Sequence, residues 1–465
     1  MSPPRRRPRG ALALALALPS LLVLIQQQAL QRQPPHLQRL INAAASSGPA
    51  ALQARFSRPM DSASLQSASA LQPNLSHRWL GSSDALLLAL TAGQRLEQPL
   101  QLRLAGRDRR GLALQPRLWH WDPRPRVLAV VPVAGGEQLQ LREHDGSWQP
   151  LSPIWPRLPV IEPLGDGSGV ALASQDALGA YHLARIPLQQ RNLVASPQQL
   201  GPVRAAAPQV LDGRALMFAH LSSNRRGDLL VQSSSSEGSS SEGRGSEGSG
   251  SEGSESRARL WRAQGGSQAL ALAASGPMRL LPEGDAVVVP GPEGLSLQAL
   301  PPRPPRRQTL PGNRDLSAFC PRSGRALLVR HWPDYRRSLE LVEPGQAPRQ
   351  LWIGSEALVA SACAGGGERI WALLIDGTGQ PELTLLALDR RGKLLRRQRL
   401  TGWELEPGTG LSFDPSGDRL LAALRRLGPI EQPPAPAQAV LIDARSLQLQ
   451  PLPRQVRQVI WLPAG

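Results

Sequence analysis

The chain has 465 residues, which suggests two or three domains rather than one. Its 44 glycines and 46 prolines are too many for a mainly helical protein and are typical of short strands joined by tight turns. The formal net charge of +17 is spread thinly, without the cationic stripe and interleaved aromatic rings of a nucleic-acid surface, so we expect no nucleic-acid partner. Binding to an anionic membrane or polymer stays open.

The amino terminus has the layout of an export signal. Arg5, Arg6, Arg7 and Arg9 precede an apolar run at residues 11–25, and positive residues stay on the cytoplasmic side of a membrane. As a helix this run spans about 22 Å, short of the hydrocarbon core of about 30 Å, which favours a cleaved signal peptide. The absence of a small-x-small pair after Ile25 favours an uncleaved signal anchor.

These features predict an apolar helix within residues 1–30, a linker at 31–48, and a cell-envelope location. The bulk of the chain then faces the periplasm or exterior, and it is secreted if the signal is cleaved. The membrane is a predicted partner through this segment.

Residues 49–123 predict a small immunoglobulin-like β-sandwich. Short apolar runs, separated by Gly, Pro, Asp or Ser, follow one another with the cadence of an all-β domain. The predicted strands are 52–56, 76–80, 85–90, 100–104 and 118–121.

A resemblance sharpens this prediction. The segment from Phe56 to Asp61 resembles the F-S-x-P-M-D opening of bacterial SbsA-type Ig-like domains, and residues 105–112 resemble their A-G-x-x-D-x-x-G segment. Trp79 falls on the next strand, and residues 91–93 resemble the P-G-T turn, although Gln94 stands where a Thr is usual. The resemblance implies a spacer or stalk without chemistry of its own.

Residues 124–465 repeat. Each unit is an apolar strand, a Gly turn and a second apolar strand, clearest at 316–328 and 411–421. Both copies resemble the F-S-P-D-G-x-x-L hairpin of TolB-like and WD40-like propellers. The predicted turn glycines are Gly167, Gly213, Gly284, Gly324, Gly367 and Gly417.

The spacing of these glycines predicts one propeller blade per interval. Four intervals are 46, 40, 43 and 50 residues, and a four-stranded blade needs about 40–45. The interval of 71 from Gly213 to Gly284 contains a Ser/Gly/Glu tract at residues 233–256, without which 47 remain. Because the tract has too few apolar residues to offset its ordering entropy, we predict a disordered insertion there.

The two ends of this region predict ring closure. Residues 126–131 form a second strand without a first, and residues 459–465 form a first strand and turn without a second. The C-terminal segment can therefore complete the first blade and leave no open edge. The prediction is a closed propeller of seven blades, with six or eight as alternatives.

Cys320 and Cys363 are the two cysteines and lie at the same place in successive repeats. Equivalent positions on neighbouring blades are usually farther apart than the 7 Å or so that a disulfide tolerates. We expect both to be small buried residues without a disulfide.

No motif identifies an active site, so we predict no catalytic residue, cofactor or metal ligand. The seven histidines show no H-x-x-x-H spacing, and neither a G-x-S-x-G elbow nor an S-x-x-K motif occurs. Acidic residues near the turns are expected to hold those turns rather than a metal. They are Asp166, Asp212, Glu283, Glu368 and Asp414.

The sequence thus favours a non-catalytic envelope protein whose propeller binds a protein or glycan partner, presented on an Ig-like stalk. A purely structural module is one alternative. The other is a hydrolase or lactonase-like enzyme with a metal site in the channel, which carboxylates and histidines converging at one channel mouth would favour. The sequence does not predict an oligomeric state.

Overall fold

The computed structural model describes residues 26, 28, 32–45, 48–235, 256–322, 324–377, 382–428 and 434–465. Within these ranges the regular secondary structure is nearly all β-strand, as predicted. Apart from Gln26 and Gln28, the apolar helix predicted within residues 1–30 lies outside them. Among the described helices, none has the length and hydropathy needed to cross a membrane.

The N-terminal domain is a sandwich of two antiparallel sheets. One sheet has the strand order β1-β2-β5-β4, and the other has the order β7-β6-β3, with β3 at one edge and one further strand, described below, beside β7. A short helix, α1 (Ser62–Ala68), lies between β2 and β3. The strands are β1 (Leu37–Ala43), β2 (Ala51–Phe56), β3 (Ala70–Gln72), β4 (His77–Leu80), β5 (Ala85–Leu90), β6 (Leu100–Arg107) and β7 (Ala113–Trp121).

The sandwich begins earlier than the sequence suggested. Residues 31–48 were predicted to be a linker, but β1 pairs with β2 from Leu37–Phe56 to Ala43–Ala51. This strand was missed because its Gln, Arg and Asn residues break the apolar alternation that marks a half-buried strand.

The two segments that resemble SbsA-type domains contact each other. Met60 forms an isolated β-bridge with Asp108, and Asp61 caps α1 by accepting a hydrogen bond from the N–H of Ala63, 3.0 Å long. A Cβ on Gly106 would lie 2.8 Å from a methyl carbon of Leu65, so only glycine fits under the helix.

The rest of the chain is a propeller of seven blades, most of them four-stranded antiparallel sheets. Blade 1 contains β8 (Arg126–Val133), β9 (Gly136–Arg142) and β10 (Trp148–Trp155). Blade 2 contains β11 (Arg157–Pro163), β12 (Gly169–Gln175) and β13 (Tyr181–Gln189), followed by the short strands β14 (Leu193–Val194) and β15 (Arg204–Ala205). A 3-10 turn at Pro197–Gln199 separates these two short strands.

Strand β16 (Gln209–Ser223) joins blades 2 and 3, because its first half pairs with β13 and its second half pairs with β17. Blade 3 continues with β17 (Leu229–Ser235), β18 (Arg257–Trp261) and β19 (Ser267–Leu270). Blade 4 contains β20 (Arg279–Leu280), β21 (Ala286–Gly291), β22 (Gly294–Ala299) and β23 (Arg307–Pro311).

Blade 5 contains β24 (Arg314–Phe319), β25 (Ala326–His331), β26 (Arg337–Val342) and β27 (Arg349–Gly354). Blade 6 contains β28 (Ala357–Ala364), β29 (Arg369–Asp376), β30 (Glu382–Asp389) and β31 (Leu394–Arg399). Blade 7 contains β32 (Trp403–Leu405), β33 (Ser412–Asp414), β34 (Arg419–Arg426), β35 (Gln438–Asp443) and β36 (Leu449–Gln455), and β37 (Gln458–Leu462) ends the chain.

Two predictions in blade 3 were wrong in position. Gly213 lies inside β16 rather than in a turn, and the turn before β17 instead contains Gly227, which has a φ of +79°. The insertion predicted at 233–256 is also too long, since Ser233 pairs with Arg257. Residues 236–255 lie outside the described residues.

The predicted ring closure is confirmed. Strand β37 pairs antiparallel with β8 as the inner strand of blade 1, in a register that places Val459 opposite Ala129 and Leu462 opposite Arg126. The first blade is therefore built from both ends of the propeller sequence, which leaves no open inner edge at the closure.

Buried apolar clusters fill the interfaces between neighbouring blades, with one exception. Clusters join blades 1 and 2, 2 and 3, 3 and 4, 5 and 6, 6 and 7, and 7 and 1. Among the described residues, no such cluster joins blades 4 and 5.

The expectation about the cysteines was wrong. Cys320 and Cys363 form a disulfide with a Cα–Cα distance of 5.0 Å. Both lie at the ends of inner strands, where neighbouring blades converge on the axis, and the Oγ atoms of Ser317 and Ser361 on the same two strands are 2.7 Å apart. Repeat spacing does not reveal how close the inner strands approach.

The sandwich docks where the ring closes. Strand β14, from the loops of blade 2, pairs with β7 and so adds a strand to the second sandwich sheet. The side chain of Asn42 donates a hydrogen bond to the carbonyl of Gly465. The backbone N–H of Leu96 donates a hydrogen bond to the carbonyl of Ser416 in blade 7. The sandwich is therefore fastened to blades 1, 2 and 7, whereas an independent stalk would touch the propeller only through the chain connection.

Candidate functional site

Three ionisable side chains from adjacent blades converge on the central channel. Glu162 is on β11, the inner strand of blade 2; His220 is on the inner half of β16 in blade 3; and Arg279 begins β20 in blade 4. All three line one cavity of about 340 Å³ at the channel mouth. Gly408, Thr409 and Gly410 of blade 7 and Gln458 of blade 1 line it from the other side.

The inner strands hold these side chains in place. The backbone N–H of Ser223 donates a hydrogen bond to Oε1 of Glu162, 2.8 Å long. A guanidinium nitrogen of Arg279 donates to the carbonyl of Leu221 at 3.1 Å. The ring of Phe218 lies 5.5 Å from that of His220, centroid to centroid.

The surroundings shift the pKa values of Glu162 and His220 in opposite directions. Burial raises the pKa of the Glu162 carboxyl, while the charge of Arg279 and the hydrogen bond from Ser223 act against that rise. Burial lowers the pKa of His220, and the charge of Arg279 lowers it further. The cavity is therefore lined by an imidazole that is neutral at pH 7 and by a carboxyl that is harder to ionise than usual.

A larger cavity lies elsewhere, between blades 4 and 5. It has a volume of about 650 Å³ and is lined mainly by apolar side chains. They include Val288, Leu297 and Leu310 of blade 4 and Leu316, Phe319 and Leu328 of blade 5. This cleft occupies the interface that lacks a buried apolar cluster.

A second polar group belongs to the junction between sandwich and propeller. The buried Arg126 donates hydrogen bonds to Glu143 and Asn192. His144 lies 3.6 Å from a carboxylate oxygen of Asp122, and burial lowers its pKa to about 4 although Asp122 acts against that shift. Arg126, Glu143 and Asn192 satisfy one another at the base of the sandwich, and their role is structural, whereas the buried Nε2 of His144 has no hydrogen-bond partner among the described residues.

The acidic residues predicted to hold turns mostly do so, and they do not converge. Asp166 accepts hydrogen bonds from the backbone and hydroxyl of Ser168, and Asp414 accepts the equivalent pair from Ser416. Glu368 accepts a hydrogen bond from the N–H of Gly366.

The other two acidic residues form ion pairs. Glu283 pairs with Arg225, and Asp212 pairs with Arg214 on β16. The described His, Cys, Asp and Glu residues form no group of three that could hold a metal ion.

The channel-mouth residues were not singled out from the sequence, although a signal existed. Glu162 and Arg279 each lie five residues before a turn glycine, Gly167 and Gly284. Alignment of the repeats on those glycines shows charged residues at one offset on predicted inner strands. His220 lies seven residues before Gly227, a turn that was misplaced.

No family model matches the sequence, and no curated protein matches it either. Among solved structures, the chain is similar to a Bacteroides fragilis protein with a provisional assignment as a 6-phosphogluconolactonase, at 13% identity and a TM-score of 0.45, over 73% of this chain and 98% of the other. It is similar to TolB from Acinetobacter baumannii at 12% identity and a TM-score of 0.37, over 80% and 81% of the two chains.

A prolyl endopeptidase is also similar, at 10% identity and a TM-score of 0.47, over 78% of this chain and 49% of that one. At these identities and TM-scores the likenesses carry no argument about function. The strand pairing of the chain itself defines the propeller.

Proposed function

We propose that this protein is a non-catalytic recognition module of the cell envelope, and that its propeller binds a partner at the channel mouth. The convergence of Glu162, His220 and Arg279 from three blades carries the proposal. A carboxyl, a neutral imidazole and a guanidinium on a closed ring form a rigid, polar site, as specific recognition requires.

The lining favours a protein partner over a glycan. The cavity is at the small end of ligand sites, which span about 300–1,000 Å³, so it suits the tip of a partner's loop. Among the described residues that line it, His220 supplies the one aromatic ring, and a sugar would find no Trp or Tyr face to stack on. Arg279 is exposed and can meet a carboxylate of the partner.

The disulfide supports the envelope location. Disulfides persist in oxidising compartments outside the cytoplasm, and the predicted signal in residues 1–30 would take the chain there. We further propose that the sandwich is an SbsA-type domain, supported by the contact between its two motif segments, and that its role here is to fasten the closed ring.

Comparative capture tests the channel site. Full-length wild type, Arg279→Gln and His220→Gln are immobilised and exposed to a detergent-solubilised envelope fraction, and the bound proteins are quantified by mass spectrometry. Arg306→Gln is the matched control, because Arg306 is exposed on blade 4 and remote from the cavity lining. We expect one partner to be retained by wild type and the control and reduced about tenfold or more by both channel variants, as for loss of one charged hydrogen bond. Identical capture by all four proteins contradicts the proposal.

The second candidate function is hydrolysis. It is favoured by the presence in one cavity of a carboxyl of raised pKa and an imidazole of lowered pKa, since groups shifted apart in this way can act as general acid and general base. An acid–base reaction on an ester or lactone fits the pair better than a metal site, because the described residues provide no three-member ligand group.

A panel of esters and lactones separates the two functions. Hydrolysis by wild type that is lost in both Glu162→Gln and His220→Gln, with Arg306→Gln unaffected, establishes the enzyme. Absence of turnover by a wild type that still captures its partner establishes the recognition module.

A further inference from the structure

The hairpin that ends blade 6 carries the densest charge in the described chain. Six cations fall within residues 390–399, which we call the basic hairpin: Arg390, Arg391, Lys393, Arg396, Arg397 and Arg399. Every residue from Lys393 to Arg399 is exposed, and β31 is the outermost strand of its blade. The hairpin thus presents its charges to solvent on a rigid edge.

Most of this charge is not neutralised by the protein. Arg390 pairs with Glu343, and Arg399 lies 3.8 Å from Glu382. Among the described residues, no carboxylate forms an ion pair with Arg391, Lys393, Arg396 or Arg397; Arg396 donates instead to the carbonyl of Ser446. The one carboxylate of the turn, Asp389, accepts hydrogen bonds from the N–H groups of Arg391 and Lys393.

Two leucines lie among these cations. Leu394 is 50% exposed and Leu395 is 51% exposed, so two adjacent apolar side chains lie at the surface of the hairpin. Leu394 pairs with Leu388 and Arg396 pairs with Ala387, which leaves Leu395 as the extra residue of a β-bulge on the outer strand of the blade. Exposed apolar side chains flanked by cations match the boundary between acyl chains and anionic headgroups.

Nucleic acid fits the hairpin less well. Single-stranded nucleic acid is bound by cations together with aromatic rings on which bases stack, and residues 389–399 include no aromatic residue.

We propose that the basic hairpin rests on an anionic lipid surface. Arg391, Lys393, Arg396 and Arg397 contact lipid phosphates, and Leu394 and Leu395 enter the interface. This contact is separate from the channel mouth and from the apolar segment in residues 1–30.

The test places an environment-sensitive fluorophore in the hairpin of the full-length protein. Gln398→Cys is labelled with a nitrobenzoxadiazole (NBD) dye, since the two native cysteines are joined in a disulfide. Emission is compared on phosphatidylcholine vesicles with and without phosphatidylglycerol. We expect emission to rise only with phosphatidylglycerol, and the rise to disappear at 1 M salt, where the screening length falls to about 3 Å.

Matched variants give the specificity. In the labelled chain, Arg396→Gln with Arg397→Gln should weaken the affinity for vesicles with phosphatidylglycerol about 25-fold, because each cation near an anionic surface contributes roughly fivefold. Arg306→Gln with Arg307→Gln removes the same charge from exposed positions on blade 4 and should leave the response unchanged. The same label at Leu178→Cys, a site 95% exposed, should not respond.

Four results overturn the proposal. They are an equal response to phosphatidylcholine alone, an equal response at Leu178→Cys, an equal loss with the blade 4 variants, and a response of the hairpin label to single-stranded DNA but not to vesicles. Because the membrane comparison is made at one labelled residue, anchoring through residues 1–30 cannot imitate the expected result.

Discussion

The backbone N–H of Leu96 in the sandwich donates a 2.8 Å hydrogen bond to the carbonyl of Ser416 in the first turn of blade 7. Beside it, a guanidinium nitrogen of Arg95 lies 2.6 Å from a carboxylate oxygen of Asp443. Blade 7 is the neighbour of the blade that both ends of the propeller sequence build. The sandwich therefore reinforces the place where the ring closes.

Replacement of Arg95 by Gln should lower the free energy of unfolding at pH 7 by about 0.5–1 kcal/mol, the range for a partly exposed ion pair. Burial acts to raise the pKa of Asp443, but hydrogen bonds from Ser446, Arg95 and Arg445 outweigh it and hold the pKa well below its ordinary value. A lowered pKa stabilises the fold above the ordinary value of about 4, and this contribution is lost as the pH falls. Urea unfolding of wild type and Arg95→Gln at pH 7 and below pH 3 measures this. The difference between their free energies of unfolding should be smaller below pH 3, and an unchanged difference counts against the contact.

Loss of the disulfide should destabilise the propeller. Cys320 and Cys363 are separated by 43 residues, and closing a loop of this length is worth about 2–4 kcal/mol. Chemical denaturation of a variant with both Cys320→Ala and Cys363→Ala measures the loss. A reducing agent should produce the same loss in wild type and none in the variant; equal sensitivity of both to the reductant contradicts the assignment.

The turn of blade 7 should make stability depend on pH. Burial raises the pKa of Asp414 from 3.8 to about 6, although hydrogen bonds from Ser416 and Gly417 act against the rise. A raised pKa means that the folded state favours the protonated carboxyl. The stabilisation that comes with protonated Asp414 is therefore complete below pH 4 and is lost as the pH rises through 6. The Asn side chain of Asp414→Asn cannot ionise. The free energy of unfolding of this variant, relative to that of wild type, should therefore rise by about 1–3 kcal/mol between pH 4 and pH 8. Unfolding curves of wild type and Asp414→Asn, measured at pH 4 and at pH 8, test this. A difference in free energy of unfolding that does not change with pH contradicts the prediction.

The interface between blades 4 and 5 should open first. It contains a cleft of about 650 Å³ in place of a buried apolar cluster, and local opening requires least free energy where apolar contacts are fewest. Hydrogen exchange read by mass spectrometry should show faster exchange in β21 and β22 than in β29 and β30, the equivalent strands of blade 6. Equal protection in the two blades would mean that the cleft does not weaken the interface.

The propeller could be predicted from the sequence because its blade turns need glycine. Gly167 has a φ of +71°, and a Cβ there would lie 2.6 Å from the carbonyl of Pro463, so no other residue fits. Such glycines recur at the blade spacing, and unpaired strands at the two ends of the region then predict closure. The prediction of a turn at Gly213 was wrong because this glycine lies in a long strand that belongs to two blades.

What the sequence could not show depends on distances across the ring. The disulfide and the channel-mouth cavity both join residues from different blades, and neither leaves a local motif. Glu162 and His220 are 58 residues apart in the sequence and line one cavity only because their strands surround one axis. Strand β1 was missed for a different reason, since its polar residues hide the alternation of a sandwich strand.

Site-specific photo-crosslinking tests recognition at the channel mouth most directly. A benzophenone amino acid replaces Thr409, which lines the cavity, or Leu178, which is 95% exposed and remote from its lining, in cells that express the full chain. Illumination should give one covalent adduct from position 409 that Arg279→Gln abolishes, and none from position 178. An adduct that forms from position 178 but not 409, or that persists in Arg279→Gln, contradicts binding at the channel mouth.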